Sequence, residues 1–372
     1  MRVLFYLDSL GRGGAEMQAL DVCRNAARFG IELTMAAGRG GALEAEFADC
    51  GVEFIQLERR LPVDIYLASQ LRRIIREREI KVVHGHQAVD GLHLYLATRG
   101  LRKVRKVLTF HGFIADRRNR ITSRFLITRM DANIVVSRGL QKWLADKDRL
   151  DTARNFSVIY NGVDRERLRP TGKSLRDELD VPARSLLVGM IGNFYRDPRK
   201  DQLTVCRALL EIFRNSPDVQ CVFAGRVEDG AEGKFADCLS FCVENEIVDR
   251  VHFLGGRGDV ADILASLDIF ILSSLQEGLP IAIFEAMLAE VPMVLSDIEP
   301  HIEVSRNGEF AEIFPVGDAH VLARKTLALL NDKKRRAALA RKAGDLAREK
   351  FSIDAHLGEL KKLYERLTAS RQ

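Results

Sequence analysis

The sequence predicts an α/β protein built as two Rossmann-like domains, and three observations predict it. Short apolar, strand-like runs alternate with amphipathic helical stretches through both halves of the chain. The alternation pauses once, at "NGVDRERLRPTGKSLRDELDVP", residues 161–182, where polar residues, glycines and two prolines interrupt the apolar rhythm. The length, 372 residues with 47% hydrophobic content, suits two cores at about 150 residues per domain. The boundary is placed in that pause, at residue 165. Two such domains joined by one linker are expected to face each other across a cleft, a geometry that suits a two-substrate enzyme.

In the first half, strands are expected at Val3 to Leu7, Glu32 to Ala36, Glu53 to Leu57, Lys81 to His84, Lys106 to Phe110, Asn133 to Val136 and Ser157 to Tyr160. The second half repeats the pattern with "LLVGMIG", "VQCVFAG", "RVHFLG", "DIFILSS" and "PMVLSD". Its strands run into glycine or small polar residues at Gly192, Gly225, Gly255 and Ser273. Ligands of open parallel sheets bind at the carboxyl ends of strands, so these are candidate site positions.

The first strand leads into "LGRGGAE", three glycines within four residues, which opens a helix and invites a phosphate reading. A nicotinamide site does not fit. The third glycine of G-x-G-x-x-G is missing, and the second strand ends "MAAG" followed by Arg39, with no carboxylate for a ribose. A P-loop does not fit either, since no G-x-x-x-x-G-K-[ST] occurs. What is left is a loop whose backbone N–H groups, around Gly13, Gly14 and Glu16, face a substrate phosphate or hydroxyl.

Composition narrows the class further. The opening apolar run is too short and wrongly flanked for a signal peptide, and no window approaches a membrane span, so a cytosolic protein is expected. The six cysteines lie in apolar, element-like segments, as reduced thiols do. Residues 1–160 hold 27 basic against 18 acidic side chains, whereas the remainder holds 30 against 34. Within the basic half, Arg99 to Arg129 carries ten basic residues and one acid, Asp116. This is either a solvated helix face or the contact for an anionic partner. "RRNRITSRFLITRM" interleaves Phe125, Leu126, Ile127 and Met130 with arginines, as an interfacial membrane helix would. No nucleic-acid reader motif accompanies the patch, so nucleic acid is not expected.

The sharper clue is "EGLPIAIFEAM", Glu277 to Met287. Glu277 sits in a loop after a strand, Pro280 is expected at the first helical position, and Glu285 lies about one turn inside. Two carboxylates thus flank a helix N-terminus, whose free N–H groups and partial positive charge suit a diphosphate. One carboxylate can then bind sugar hydroxyls and the other a ribose diol.

With these residues in place, the chain resembles the family-4 retaining glycosyltransferases along nearly its whole length. The residues that carry the likeness are Glu277 and Glu285 with seven residues between them in "SSLQEGLPIAIFEAM", the loop "GRGGAE", "TFHG" at Thr109 to Gly112, "VIYNGVD" at Val158 to Asp164, "FAG" at Phe223 to Gly225 and "FLG" at Phe253 to Gly255. The resemblance implies a GT-B fold and transfer from a nucleotide-diphosphate sugar without a metal or other cofactor. It implies an acceptor-binding domain over 1–165 and a donor-binding domain over 166–350. "FSIDAHLGELKKLYERL" resembles the family's last helix, placed here in 351–372, which returns to the first domain.

Carried over, Glu285 would hold the nucleotide ribose and Glu277 the donor sugar's hydroxyls, with backbone groups of Gly278, Leu279, Pro280 and Ile281 near sugar and phosphates. Gly14 would approach the diphosphate, and His111 would contact the sugar near the reacting carbon. Gly192, Gly225 and Gly255 line the donor side. Lys200 matches the family's diphosphate lysine in "GNFYRDPRKD", but Asn193 stands where an arginine is usual. Arg196 is taken as its replacement and Arg199 as the fallback, because the leaving diphosphate needs charge more than register.

Two other motifs compete. "HGH" puts His84 and His86 on one face of a strand end, a metal-like spacing that His111 could complete; the preferred reading is that they line the acceptor side. "DKD", Asp146 to Asp148, resembles a metal-binding D-x-D but lies in a charged helical stretch, so a solvated helix terminus is expected. The function expected is transfer from a UDP-sugar, or a GDP-sugar, to a glycan or lipid-linked acceptor in polysaccharide or lipopolysaccharide biosynthesis. A GT-B sugar-nucleotide epimerase and a non-catalytic sugar binder are the alternatives.

Overall fold

The structure, a computed structural model, describes residues 1–114, 116–182 and 184–369. The chain divides into two compact units: Met1–Val163 with the segment from Lys350 onward, and Asp164–Glu349. The divisions fall at 163/164 and 349/350, against the 165/166 and 350/351 expected.

The first unit holds a seven-stranded sheet of β1 (Arg2–Leu7), β2 (Glu32–Ala37), β3 (Glu53–Gln56), β4 (Val82–Gly85), β5 (Arg105–Phe110), β6 (Ala132–Val135) and β7 (Phe156–Val158). All neighbours are parallel and the order is β3-β2-β1-β4-β5-β6-β7. The second unit holds β8 (Leu186–Ile191), β9 (Val219–Ala224), β10 (Val251–Phe253), β11 (Ile269–Leu272), β12 (Met293–Ser296) and β13 (Glu312–Phe314), again all parallel, in the order β10-β9-β8-β11-β12-β13. Strand β13 was not anticipated: its short run starts on the charged Glu312 and runs directly into Pro315.

Helices cover both faces of a parallel sheet, so its central strands are apolar throughout rather than alternating. Val3, Leu4, Phe5, Tyr6 and Leu7 of β1 are accordingly all buried. Several helices begin where a side chain satisfies one of their first N–H groups. Asp64 accepts from Leu67 N–H, Ser137 from Leu140 N–H, and Asp201 from Thr204 N–H. In each sheet the connections run to one side and then to the other, so the switch points lie between β1 and β4 and between β8 and β11. Ligands of this architecture bind outside such points.

The closing helix, Ile353–Ala369, spaces Ile353, Leu357, Leu360 and Tyr364 on one stripe, and all four join the core of the first unit with Val3, Phe5 and Leu20. Two hydrogen bonds fix its start: Val163 N–H donates to Phe351 O (3.0 Å), and Ile353 N–H to Val163 O (3.0 Å).

Candidate functional site

In the second unit the ends of β8, β9 and β10 meet. Gly192 N–H donates to Ala224 O and Gly225 N–H to Gly255 O, both at 2.8 Å. A Cβ on Gly225 would stand 2.2 Å from the Gly192 carbonyl oxygen, so only glycine allows this approach. Asn193 is pinned beside them: its Oδ1 accepts from Arg226 N–H (3.1 Å) and its carbonyl from Gln202 Nε2 (3.1 Å). It ties neighbouring strand ends together and supplies no charge.

The charge comes from the following loop, which zips against the chain after β11. Asp201 N–H donates to Ser273 O (3.0 Å) and Leu275 N–H to Arg199 O (2.9 Å). That pairing sets Lys200 Nζ 2.6 Å from Glu277 Oε1, with both side chains at most one-tenth exposed. Ser274 Oγ donates to the same oxygen at 3.3 Å. Ser296 Oγ braces the loop by accepting from Ser274 N–H (3.0 Å) and donating to Ser274 O (2.9 Å). Behind it, burial and the Lys200 charge push the His301 imidazole down to about 3.

Of the two candidate arginines, Arg199 is engaged. Its Nε and Nη2 donate to Asp197 (2.7 and 2.5 Å), and its guanidinium lies over the Tyr195 ring. Among the described residues Arg196 makes no hydrogen bond or ion pair, and it is exposed. The loop thus offers one available guanidinium.

The helix Ile281–Leu288 begins one residue later than expected: Pro280 is its cap rather than its first residue. Its φ of −73° needs no adjustment to feed a helix. Gly278, Leu279, Pro280 and Ile281 are all buried at this start. Glu285, one turn in, is buried and accepts from Arg167 Nη1 at 2.7 Å. Arg167 escaped the sequence reading because it lies 118 residues from its partner, inside a linker rich in charges.

In the first unit, Gly13 caps the helix Gly14–Asn25, with Met17 N–H donating to Gly13 O (3.0 Å). Glu16 folds back over that start; a Cβ on Gly13 would lie 2.6 Å from its Oε2. A carboxylate there complements the helix dipole. Beside this loop stands a column of imidazoles. His84 and His86 stack at 4.6 Å, and His86 and His111 at 5.3 Å, with Phe5 edge-on to the first two. His86 Nδ1 and His111 Nε2 share a hydrogen bond of 3.0 Å. His84 bonds Tyr364 Oη (2.6 Å) through Nδ1 and Thr109 Oγ1 (2.7 Å) through Nε2. Burial holds all three imidazoles below their ordinary range, His111 down to about 3, so the column is neutral near pH 7. Tyr364 was not foreseen, being 280 residues from His84.

Two expectations are corrected here. Asp148 of "DKD" is buried rather than solvated: Arg120 Nε donates to its Oδ1 (2.9 Å) and Arg124 to its carbonyl (3.0 Å). Ile127, expected to dip into a membrane interface, is buried, because with Ser123 and Leu126 it forms the inner side of the helix Arg117–Ile127; Met130, in the turn that follows, is buried as well. The exposed apolar residues of that helix are Ile121 and Phe125, one turn apart, with Arg129 over the Phe125 ring. No helix is long and apolar enough to cross a membrane, and no group of three or more potential metal ligands forms, among the described residues.

Comparison with known proteins places this geometry. The model of Glycosyltransferase Family 4 matches residues 12–167, and that of Glycosyl transferases group 1 matches residues 185–332. An N-acetyl-alpha-D-glucosaminyl L-malate synthase of Bacillus anthracis is 25% identical over 82% of this chain and 79% of its own length. A UDP-Gal:alpha-D-GlcNAc-diphosphoundecaprenol alpha-1,3-galactosyltransferase of Escherichia coli is 26% identical over 63% of this chain and 62% of its own. Among solved structures, Anabaena Alr3699/HepE in complex with UDP-glucose superposes with a TM-score of 0.87 at 20% identity, covering 98% of this chain and all of that one. Paired parallel sheets, the Lys200–Glu277 and Arg167–Glu285 contacts and both family matches converge: the chain belongs to the family-4 glycosyltransferases and is a glycosyltransferase of GT-B fold.

Proposed function

We propose that the chain moves a sugar from a nucleotide-diphosphate sugar to a hydroxyl of a glycan or lipid-linked acceptor, with retention of anomeric configuration and without a metal. The observation that carries this reading is the pair of cation–carboxylate contacts, Lys200–Glu277 and Arg167–Glu285, set around the start of one helix beside glycine strand ends. Glu285 binds the ribose and Glu277 the donor sugar's hydroxyls. Lys200, Arg196 and the N–H groups at the helix start neutralise the diphosphate as it departs, the task a metal performs elsewhere. His84, His86 and His111 supply neutral hydrogen-bonding groups on the acceptor unit, with His111 toward the reacting sugar.

Retention by double displacement requires a free carboxylate nucleophile. Glu277 and Glu285 each hold a cation instead, which favours a front-face route: the C1–O bond to the diphosphate breaks, the acceptor oxygen bonds C1 on the same face, and the leaving phosphate oxygen takes the acceptor's proton. UDP is the favoured nucleotide, since the structural neighbour binds UDP-glucose and a relative uses UDP-Gal. The same relative acts on alpha-D-GlcNAc-diphosphoundecaprenol, which supports a lipid-linked acceptor; with such an acceptor, the proposed site of action is the cytoplasmic side of an anionic membrane, in peripheral contact with it. Ile121 and Phe125, with the exposed Arg117 and Arg118, form that contact.

Incubation of the full chain with UDP- and GDP-sugars tests the reading. Slow release of the nucleoside diphosphate with an α-configured product is expected. Conversion of the sugar without release identifies an epimerase, and neither outcome identifies a binder.

A further inference from the structure

The helix Ile281–Leu288 reads IAIFEAML, and Glu285 is its only charged residue. A carboxylate buried on such a segment needs a cation, because an unpaired charge in an apolar setting is strongly disfavoured. The cation comes from the short turn Glu166–Leu168, which the buried Leu168 anchors. Arg167 Nη1 reaches Glu285 Oε1 at 2.7 Å, with side-chain exposures of 14% and 9%. The contact engages one carboxylate oxygen. Among the described residues Oε2 makes no hydrogen bond, and with Oε1 held the plane of the carboxylate is set.

We infer that Arg167 is the positioning residue for nucleotide recognition: its ion pair with Glu285 Oε1 presents Oε2 to the vicinal hydroxyls of a ribose, so Arg167 sets the preference for ribonucleotides over 2′-deoxyribonucleotides. This rests on the reading that Glu285 holds the ribose. A pair that merely supports the fold would weaken all nucleotide diphosphates equally when broken. A pair that aims a carboxylate at a diol must weaken the ribonucleotide selectively, because the deoxynucleotide lacks one of the hydroxyls being aimed at.

The test is calorimetric titration of the full chain with UDP, 2′-deoxy-UDP, GDP and 2′-deoxy-GDP, using whichever base binds more tightly. The unaltered chain is expected to favour the ribonucleotide by about tenfold, the effect of one charge-assisted hydrogen bond. Arg167→Gln should reduce that preference to within about twofold, and Arg167→Lys should restore part of it, since an ammonium also pairs with Oε1 but without the guanidinium's fixed fork. Arg167→Gln leaves Glu285 buried without this partner, so Arg167→Lys, which keeps a cation there, keeps the comparison available if Arg167→Gln unfolds. If Glu285→Gln abolishes the preference while Arg167→Gln and Arg167→Lys both keep it in full, the inference on Arg167 is wrong and the ribose reading stands. Should Glu285→Gln itself leave the preference intact, or neither ribonucleotide bind the unaltered chain, the ribose reading and the inference fall together.

Discussion

The strand ends of the two units solve opposite electrostatic problems. In the second unit, buried charge is gathered and paired: Lys200 with Glu277, Arg167 with Glu285, and Arg196 left available nearby. The first unit also pairs a strand-end charge, Asp8 with Arg39 and Arg59, but its histidine column is treated differently: three stacked imidazoles held neutral by burial bond one another, Thr109 and Tyr364. On the proposed reading, the difference teaches how one fold could serve two substrates. A diphosphate must be matched by fixed cations, whereas an acceptor hydroxyl needs polar groups that do not titrate near neutrality.

The comparison is broken most severely by removing the charge of the second unit. Lys200→Met should lower turnover by about 10²–10³, the loss typical of deleting one preorganised group that stabilises developing charge. Steady-state kinetics with a saturating donor checks this, and unchanged kcat would remove Lys200 from the diphosphate. Next comes Glu285→Ala, which should weaken nucleoside diphosphate binding by about 1.5–3 kcal/mol, as charge-assisted hydrogen bonds do. Unaltered calorimetric affinity would remove Glu285 from the ribose.

The first unit is probed by acid. His84, His86 and His111 have folded-state pKa values below the unfolded value of 6.5. The unfolded chain therefore binds more protons between those limits. Stability is full above pH 6.5 and falls as pH drops below it, by up to about 1.4 kcal/mol per pH unit for each such histidine. Denaturant unfolding between pH 7.5 and 4.5 should show this slope, to which the buried His301 and His356 add, and His84→Gln should lessen it by one histidine's share. A flat profile in the unaltered chain would contradict a neutral column.

A smaller effect is expected at the surface of the first unit. Arg117→Glu with Arg118→Glu should release the chain from anionic vesicles at about 1 kcal/mol per charge lost, while donor binding is spared. Salt should mimic the change, since exposed charges are screened within about 10 Å at 0.1 M. Equal flotation with neutral and anionic vesicles would remove the membrane contact. The smallest expected effect is none: EDTA should leave turnover intact if cationic side chains do a metal's work, and activity restored by magnesium or manganese would overturn that.

What the sequence determined by itself was whatever repeats locally. Apolar runs such as Val3 to Leu7 and Ile269 to Leu272, short and bounded by polar residues, read as strands because a doubly covered parallel sheet buries both faces of such a run. Strand-end glycines marked Gly192, Gly225 and Gly255, and the spacing of Glu277 and Glu285 around Pro280 marked a helix start. Amphipathic spacing had less reach: Ile127 and Asp148 share stretches with arginines, and which side of a helix faces the core depends on its neighbours. Tertiary structure alone decided the pairings. Tyr364 meets His84 across 280 residues and Arg167 meets Glu285 across 118, and no local pattern encodes either contact. Likewise, Arg199 is occupied because Asp197 curls back onto it, which leaves Arg196 available. Periodicity reports the environment averaged along one element; a hydrogen-bond partner is fixed only when separate elements are brought together in space.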